Sequence, residues 1–150
     1  MNVYIWKDES VWDYISETHS WSQGTNKSYY FGTCFTAKYN CRILKVHFYW
    51  AMSWTLRIEK WNYAGQWTDA QTYTIDDSNN PNWVYELSTP YQLTAWEKYV
   101  VSLLPTRNWY YLASFPYPKD CTCVTYEYWT DSSWTSTVAY IRAVNWLYLS

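Results

Sequence analysis

The chain has 150 residues, the length of a single domain, and a domain of this size buries about 68–70% of its extended surface without needing disulfides or metals. Its formal net charge is −2, and its 11 basic residues are spread thinly, which argues against a nucleic-acid partner. No stretch approaches the roughly 18 consecutive apolar residues of a membrane span, so we expect no membrane insertion.

The N-terminus does not resemble a secretion signal. Residues 1–8 have no basic segment, and their apolar run ends after four residues. We expect a chain that stays in the cytoplasm, leaves it by another route, or has lost its leader. Residues 1–28 are less regular than the rest and are predicted to form an N-terminal arm or first strands. Residues 29–150 are predicted to form a β-sandwich domain.

Strand patterns begin after the arm. Cys34 and Cys41 flank a predicted hairpin turn. From residue 41, Leu44, Val46, Phe48 and Trp50 are predicted to share one face, while Ile43, Lys45, His47 and Tyr49 share the other. The strand at 54–59 is followed by a turn at 62–66, in which Gly65 suits a left-handed position, and by a partner strand at 67–75.

Further strands are predicted at residues 83–88, 99–104, 109–114, 122–129 and 138–149, with a break at Pro90. Helical periodicity is nearly absent. Short strands at regular spacing favour an all-β fold, namely an antiparallel β-sandwich of jelly-roll type in one domain.

A series of strand and turn cues runs through the middle of the chain. The cues are Phe31-Gly32-Thr33-Cys34-Phe35-Thr36, Arg42-Ile43-Leu44-Lys45-Val46-His47-Phe48-Tyr49, Leu56-Arg57-Ile58-Glu59-Lys60-Trp61, Gly65, Trp83, Leu87-Ser88-Thr89-Pro90, Leu93-Thr94-Ala95 and Tyr99-Val100-Val101-Ser102. On these cues, residues 31–104 resemble a bacterial β-sandwich family, a domain of unknown function appended to extracellular, cell-surface and carbohydrate-active proteins. The resemblance implies a non-catalytic accessory role and carries over no binding residues. Trp96 stands where such domains commonly have a turn glycine.

Catalytic signatures are missing from the sequence. There is no nucleophile elbow, zinc-protease motif, phosphate loop or dinucleotide fingerprint. Strands can bring Glu59, Glu86 or Glu127 together as a carboxylate pair, but nothing in the sequence singles out a pair. We therefore predict that the protein is not an enzyme and uses no cofactor.

Two groups of residues raise the question of metal binding. Residues 76–82 form a polar loop in which Asp76, Asp77 and Asn79 are weak calcium candidates, although an ordinary interstrand loop has the same composition. Four cysteines are present, namely Cys34, Cys41, Cys121 and Cys123. Their spacing differs from that of two zinc knuckles and favours plain buried thiols, while their redox state stays open.

Aromatic residues are the main functional signal, with 13 Trp and 18 Tyr but only three Gly. Many are adjacent in sequence, so in a strand they point to opposite faces, and one core cannot receive them all. The surplus rings are expected to meet solvent, a ligand or another subunit. The candidates lie beside predicted turns and are Trp61, Tyr63, Trp67, Trp109 and Tyr110.

These observations favour a non-catalytic structural or adhesion module on a virus (phage) particle surface, such as a decoration or fibre component. The expected partners are copies of itself, other particle proteins or host-surface glycans. A particle assembled in the cytoplasm and released by lysis reconciles a surface-module sequence with a missing export signal. The alternative is an extracellular carbohydrate-binding module of a secreted enzyme or cell-surface protein. An enzyme with an unrecognised carboxylate pair is the third hypothesis.

Overall fold

A computed structural model describes residues 11–14, 22–24, 31–48, 54–61, 67–75, 84–105, 109–112, 118–131, 141–142 and 144–150. Regular structure in these ranges is entirely β. The strands are β1 (Val11–Tyr14), β2 (Ser22–Gly24), β3 (Phe31–Ala37), β4 (Cys41–Phe48), β5 (Trp54–Trp61), β6 (Trp67–Ile75), β7 (Val84–Leu93), β8 (Lys98–Pro105), β9 (Trp109–Leu112), β10 (Lys119–Asp120), β11 (Val124–Asp131), β12 (Ile141–Arg142) and β13 (Val144–Leu149). Across the described ranges, no helix is long and apolar enough to cross a membrane.

Eight strands form four nested antiparallel pairs. β5 pairs with β6, β4 with β7, β3 with β8, and β1 with β13. Successive pairs alternate between a four-stranded sheet, ordered β1-β13-β4-β7, and a six-stranded sheet, ordered β10-β11-β3-β8-β5-β6. Nested pairs that alternate between two sheets make a jelly roll. The predicted all-β antiparallel sandwich is therefore confirmed.

The hydrophobic core lies between these two sheets. The six-stranded sheet contributes Phe35, Leu56 and Tyr126, and the four-stranded sheet contributes Ile43 and Leu147, all fully buried. Burying an aliphatic side chain of this size contributes about 1.5–3 kcal/mol. Alternate side chains of each strand point into the space between the sheets, so both sheets contribute to one core.

Aromatic rings form a connected part of this core. Phe35 stacks on Tyr99 with ring centroids 5.9 Å apart, and Tyr126 and Tyr91 meet these two rings edge-on at 6.1 and 5.9 Å. Burying a tyrosine costs little free energy only if its hydroxyl forms a hydrogen bond. The Tyr99 hydroxyl accepts from the backbone N–H of Thr94 at 2.8 Å. Part of the aromatic surplus is thus core.

The hairpin predicted between Cys34 and Cys41 is wrong. β3 pairs with β8 and β11, whereas β4 pairs with β7 and β13. The bend at residues 38–40 therefore carries the chain from one sheet to the other. In a jelly roll most partners are distant in sequence, so consecutive strands cross the sandwich instead of pairing.

The predicted faces of β4 are also partly wrong, because the strand contains a bulge. Ile43 and Val46 are both fully buried, although they were placed on opposite faces. Leu44, which lies between them, has no register partner on β7 or on β13. One extra residue shifts the alternation of side chains by one position.

Pro90 lies inside β7, where the sequence predicted a break. The ladder between β4 and β7 is interrupted from Glu86 to Tyr91, which pair with Lys45 and Ile43. Residues 87–90 therefore bulge away from β4. A proline has no N–H to give to a ladder, so a bulge is where a strand tolerates it.

Asp13 connects the two sheets at one edge of the sandwich. It lies on β1 of the four-stranded sheet, within the segment 1–28 predicted as an arm or first strands, and is 2% exposed. Its carboxylate accepts the backbone N–H groups of Thr122, Cys123 and Val124 at 3.1, 2.6 and 3.0 Å. The hydroxyl of Tyr126 donates to its carbonyl oxygen at 2.7 Å. The turn before β11 is thereby held against β1.

The six-stranded sheet is buried on both faces along its central strands. Thr33 and Val101 are paired on the core side, so their neighbours Cys34 and Val100, also paired, face away from the core. Yet Cys34 is 2% exposed and Val100 fully buried. A three-stranded sheet, ordered β12-β9-β2, contacts β3 through β12. The fold thus covers part of the second face with its own chain.

Candidate functional site

Trp96 is the large hydrophobic side chain that the described part of the molecule exposes, at 75%. It lies in the turn between β7 and β8, and its φ is 68°. That value falls in the left-handed region, where a bulky L-residue is a genuine outlier and glycine is the usual occupant. Residues held in such conformations concentrate at binding sites, where the surrounding structure keeps them in place.

Hydrogen bonds fix every backbone N–H of the Trp96 loop (residues 94–97). Thr94 donates to the Tyr99 hydroxyl at 2.8 Å, and Glu97 donates to the Thr94 carbonyl at 3.2 Å, which closes a β-turn. A positive φ at the third position, held here by Trp96, is the mark of a type II turn. Ala95 donates to Oδ1 of Asn40 at 2.8 Å.

The loop also continues the ladder between β3 and β8. Trp96 donates its N–H to the Ala37 carbonyl at 2.7 Å, and Ala37 donates back to the Glu97 carbonyl at 3.1 Å. Ala37 is itself fully buried. The strained position is therefore anchored to the rigid end of a core strand, and the indole is presented on a fixed backbone.

Polar groups surround the loop. Asn40 and Thr94 are exposed, and Asn40 uses Oδ1 for the loop, so its amide N–H groups remain to donate to a ligand. Three charged residues hold or flank the loop, and each has an opposite partner: Lys38 with Asp120 at 2.9 Å, Glu97 with Lys60 at 3.6 Å, and Lys98 with Glu127 at 3.0 Å. The local charge is balanced, and the arrangement offers one flat ring with neutral hydrogen-bonding groups beside it.

The aromatic candidates predicted from the sequence lie on β5, β6 and β9. Trp61 and Trp67 are register partners at the end of the β5–β6 hairpin, which confirms the predicted pairing of these two strands. Trp109 and Tyr110 lie on β9, opposite Gly24 and Gln23 of β2. Tyr63 lies outside the described residues. The structure therefore places two pairs of candidates on two different sheets, and Trp61 directly follows Lys60, which pairs with Glu97 beside Trp96.

The four cysteines are thiols that form no disulfide. Cys34, Cys41 and Cys123 are buried, and Cys121 is half-buried. Burial, reinforced by Cys123 and Asp13, raises the pKa of the Cys41 thiol to about 12. Burial likewise raises the pKa of Cys121 to about 11. Thiols held protonated in this way are poor nucleophiles and poor metal ligands.

Metal-binding groups are not assembled in the ranges that the structure covers. There, no group of three or more His, Cys, Asp or Glu residues is placed to hold an ion. The calcium candidates Asp76, Asp77 and Asn79 lie outside these ranges, so the calcium site stays a prediction.

The three candidate carboxylates are spread over the sandwich. Glu86 belongs to the four-stranded sheet, while Glu59 and Glu127 lie on β5 and β11, which β3 and β8 separate. Three strand spacings amount to about 14 Å, more than the roughly 5–9.5 Å between the carboxylates of glycosidases. Glu59 is instead buried in an ion pair with Arg57, and its pKa is raised because burial outweighs the guanidinium.

Comparison of the sequence with protein-family models and with curated proteins finds no match. The resemblance of residues 31–104 to a bacterial β-sandwich family therefore stays a prediction. Trp96 was not among the predicted site residues. The signal for it was present, because Thr94-Ala95-Trp96-Glu97 joins two strands with a tryptophan where the resembled domains have a turn glycine.

Proposed function

We propose that this protein is a non-catalytic adhesion module that binds neutral glycans by stacking a sugar ring on Trp96. The observation that carries the proposal is a 75% exposed tryptophan held at a φ of 68°. An aromatic ring that is fixed before binding loses little conformational entropy when a ligand stacks on it. The backbone strain at Trp96 is explained if ligand binding requires the indole at this point of the surface.

The polar neighbours support a sugar more than an apolar ligand. The amide of Asn40 and the hydroxyl of Thr94 belong to the residues that build or support the loop, and both side chains are exposed. Such groups can bond the hydroxyls at the rim of a sugar ring while its apolar face covers the indole. Because Lys38, Glu97 and Lys98 already have opposite charges beside them, the site favours an uncharged saccharide.

The proposal includes no catalytic activity, because the candidate carboxylates Glu59, Glu86 and Glu127 are spread over separate strands. The placement of the module on a virus particle, as a decoration or fibre component, remains our proposal from the sequence. Labelling of intact particles by an antibody against the domain tests that placement. Finding the domain only within a secreted enzyme or cell-surface protein would favour the carbohydrate-binding-module alternative.

Binding to an array of neutral and acidic glycans tests the ligand class. We expect wild-type protein to bind a subset of neutral glycans and Trp96→Gly to lose about tenfold or more of the affinity, the loss typical of an aromatic anchor. Glycine fits the observed φ, so this variant keeps the loop while removing the ring. Ser88→Ala, at an exposed position of β7, is the control and should bind like wild type. Equal binding by Trp96→Gly would refute the site, and binding restricted to acidic glycans would refute the ligand class.

A further inference from the structure

The β6 strand forms an open edge of the six-stranded sheet. It pairs with β5 on one side, and no other described strand pairs with it. Thr72 and Thr74 on one face and Gln71 on the other are exposed, so water reaches both sides of the strand. An edge strand of nine residues leaves a row of backbone N–H and C=O groups without ladder partners.

The usual protections against pairing are weak along this edge. β6 contains no proline and no lysine, and Asp69 is its only charged residue. A register shift opposite Ile58 and Lys60 places a bulge near residues 69–70, but residues 71–75 pair with β5 in regular register. The neighbouring edge strand of the four-stranded sheet differs, because β7 is interrupted by its bulge at Pro90.

We propose that residues 71–75 are a homodimer interface, at which β6 pairs antiparallel with β6 of a second copy of this chain. Antiparallel pairing of identical strands has a twofold axis, so the same contacts are made twice and the assembly closes as a dimer. With the axis at Tyr73, Thr72 of one copy lies opposite Thr74 of the other, and threonine–threonine pairs are favourable across strands.

Self-complementarity singles out a second copy as the partner. The paired segment, Gln71-Thr72-Tyr73-Thr74-Ile75, contains no charge, so neither copy repels the other. Tyr73 is buried and bonded, with its hydroxyl donating to the Thr89 carbonyl at 2.9 Å, so its ring does not obstruct the edge. The dimer joins two six-stranded sheets into one of twelve strands. The inference does not depend on glycan binding.

Light scattering and sedimentation of the full chain, from micromolar concentration downward, test the proposal. We expect twice the mass of one chain for wild type. The variant Thr72→Lys/Thr74→Lys should be monomeric, because it brings like charges together across the axis. Both side chains are exposed, so circular dichroism should show an unchanged fold. Pro118→Lys/Thr122→Lys adds the same charge at exposed positions beside β10, at the other edge of the six-stranded sheet, and should remain dimeric.

Charge reversal distinguishes pairing at this edge from a general effect of added charge. The variant Thr72→Asp/Thr74→Asp should also be monomeric, whereas an equimolar mixture with the lysine variant should recover the dimer mass. A wild-type monomer at all concentrations would overturn the proposal and leave the edge for a strand from another protein. A lysine variant that stays dimeric, or a mixture that stays monomeric, would overturn it as well.

Discussion

The carboxylate of Asp13 lies 2.6 Å from the backbone nitrogen of Cys123, although 110 positions separate the two residues in sequence. The same carboxylate accepts the N–H groups of Thr122 and Val124. One side chain on the first described strand therefore satisfies three donors of the turn before β11. Because β1 and β11 belong to different sheets, this contact closes the sandwich at one edge.

We predict that Asp13→Ala destabilises the fold by about 3 kcal/mol or more. The substitution leaves three backbone donors without their acceptor, and each buried unsatisfied donor costs about 1–3 kcal/mol. Urea unfolding followed by circular dichroism measures the change. Asp120→Ala is the control, since this carboxylate is exposed on the neighbouring strand and its loss should leave the unfolding midpoint unchanged. Equal midpoints for Asp13→Ala and wild type would show that the N–H groups find other acceptors.

Gly32 is the second position at which a small change should be costly. A Cβ atom at this position would lie 2.4 Å from the Val101 carbonyl oxygen and 2.6 Å from Cβ of Ser102. Gly32→Ala must therefore push β3 away from β8, and we expect a loss of about 1–3 kcal/mol, typical of an overpacked core. Chemical unfolding of Ser102→Ala, which keeps its Cβ and loses only a 3.3 Å hydroxyl bond to the Arg57 carbonyl, provides the comparison. A milder effect for Gly32→Ala than for Ser102→Ala would contradict the close approach.

Local patterns predicted the elements of the fold well, because alternation and turn residues act over a few positions. The pairing of β5 with β6 around residues 62–66 followed from such signals. These local signals did not predict the bulge at Leu44. A bulge is produced by the register of two neighbouring strands, and no pattern within residues 41–48 reveals it.

The candidate site was harder to predict than the fold. Counting rings against one core led to Trp61, Trp67 and Trp109, whereas the structure uses Phe35, Tyr99 and other rings as core and buries both faces of the central strands. Trp96 depends on a positive φ, which a sequence indicates only through the residue that usually occupies such a turn. The tryptophan in a glycine position was the sequence signal for Trp96, and the roles of Trp61, Trp67 and Trp109 stay predictions.

Trp96→Gly should relieve the backbone strain at residue 96 while weakening the proposed binding. Glycine adopts a φ of 68° without strain, whereas a residue with a Cβ pays roughly 1–2 kcal/mol in the left-handed region. We expect Trp96→Gly to unfold at higher denaturant concentration than Trp96→Ala, with a difference of about 1 kcal/mol. Both variants lack the ring, so the difference between them measures the cost of a Cβ atom at this backbone conformation. A less stable glycine variant would mean that the turn does not hold this conformation in solution.

Alkaline pH should weaken the fold through Cys41. Its pKa is raised to about 12 in the folded chain, whereas a thiol in the unfolded chain titrates near about 8.5. The unfolded state therefore releases this proton first. The stabilising effect is complete below about pH 8.5 and is lost as the pH rises towards 12, with a slope of up to about 1.4 kcal/mol per pH unit.

Urea unfolding at pH 8 and pH 10 measures this slope. Cys41→Ala should lose less stability between the two pH values than wild type, because it lacks the Cys41 thiol while the other three cysteines are unchanged. Val46→Ala, which trims another buried side chain of β4 and keeps the thiol, should show the wild-type slope even though it is less stable at both pH values. If Cys41→Ala and Val46→Ala lose the same amount on going to pH 10, ionisation elsewhere governs the alkaline transition and Cys41 is not buried as described.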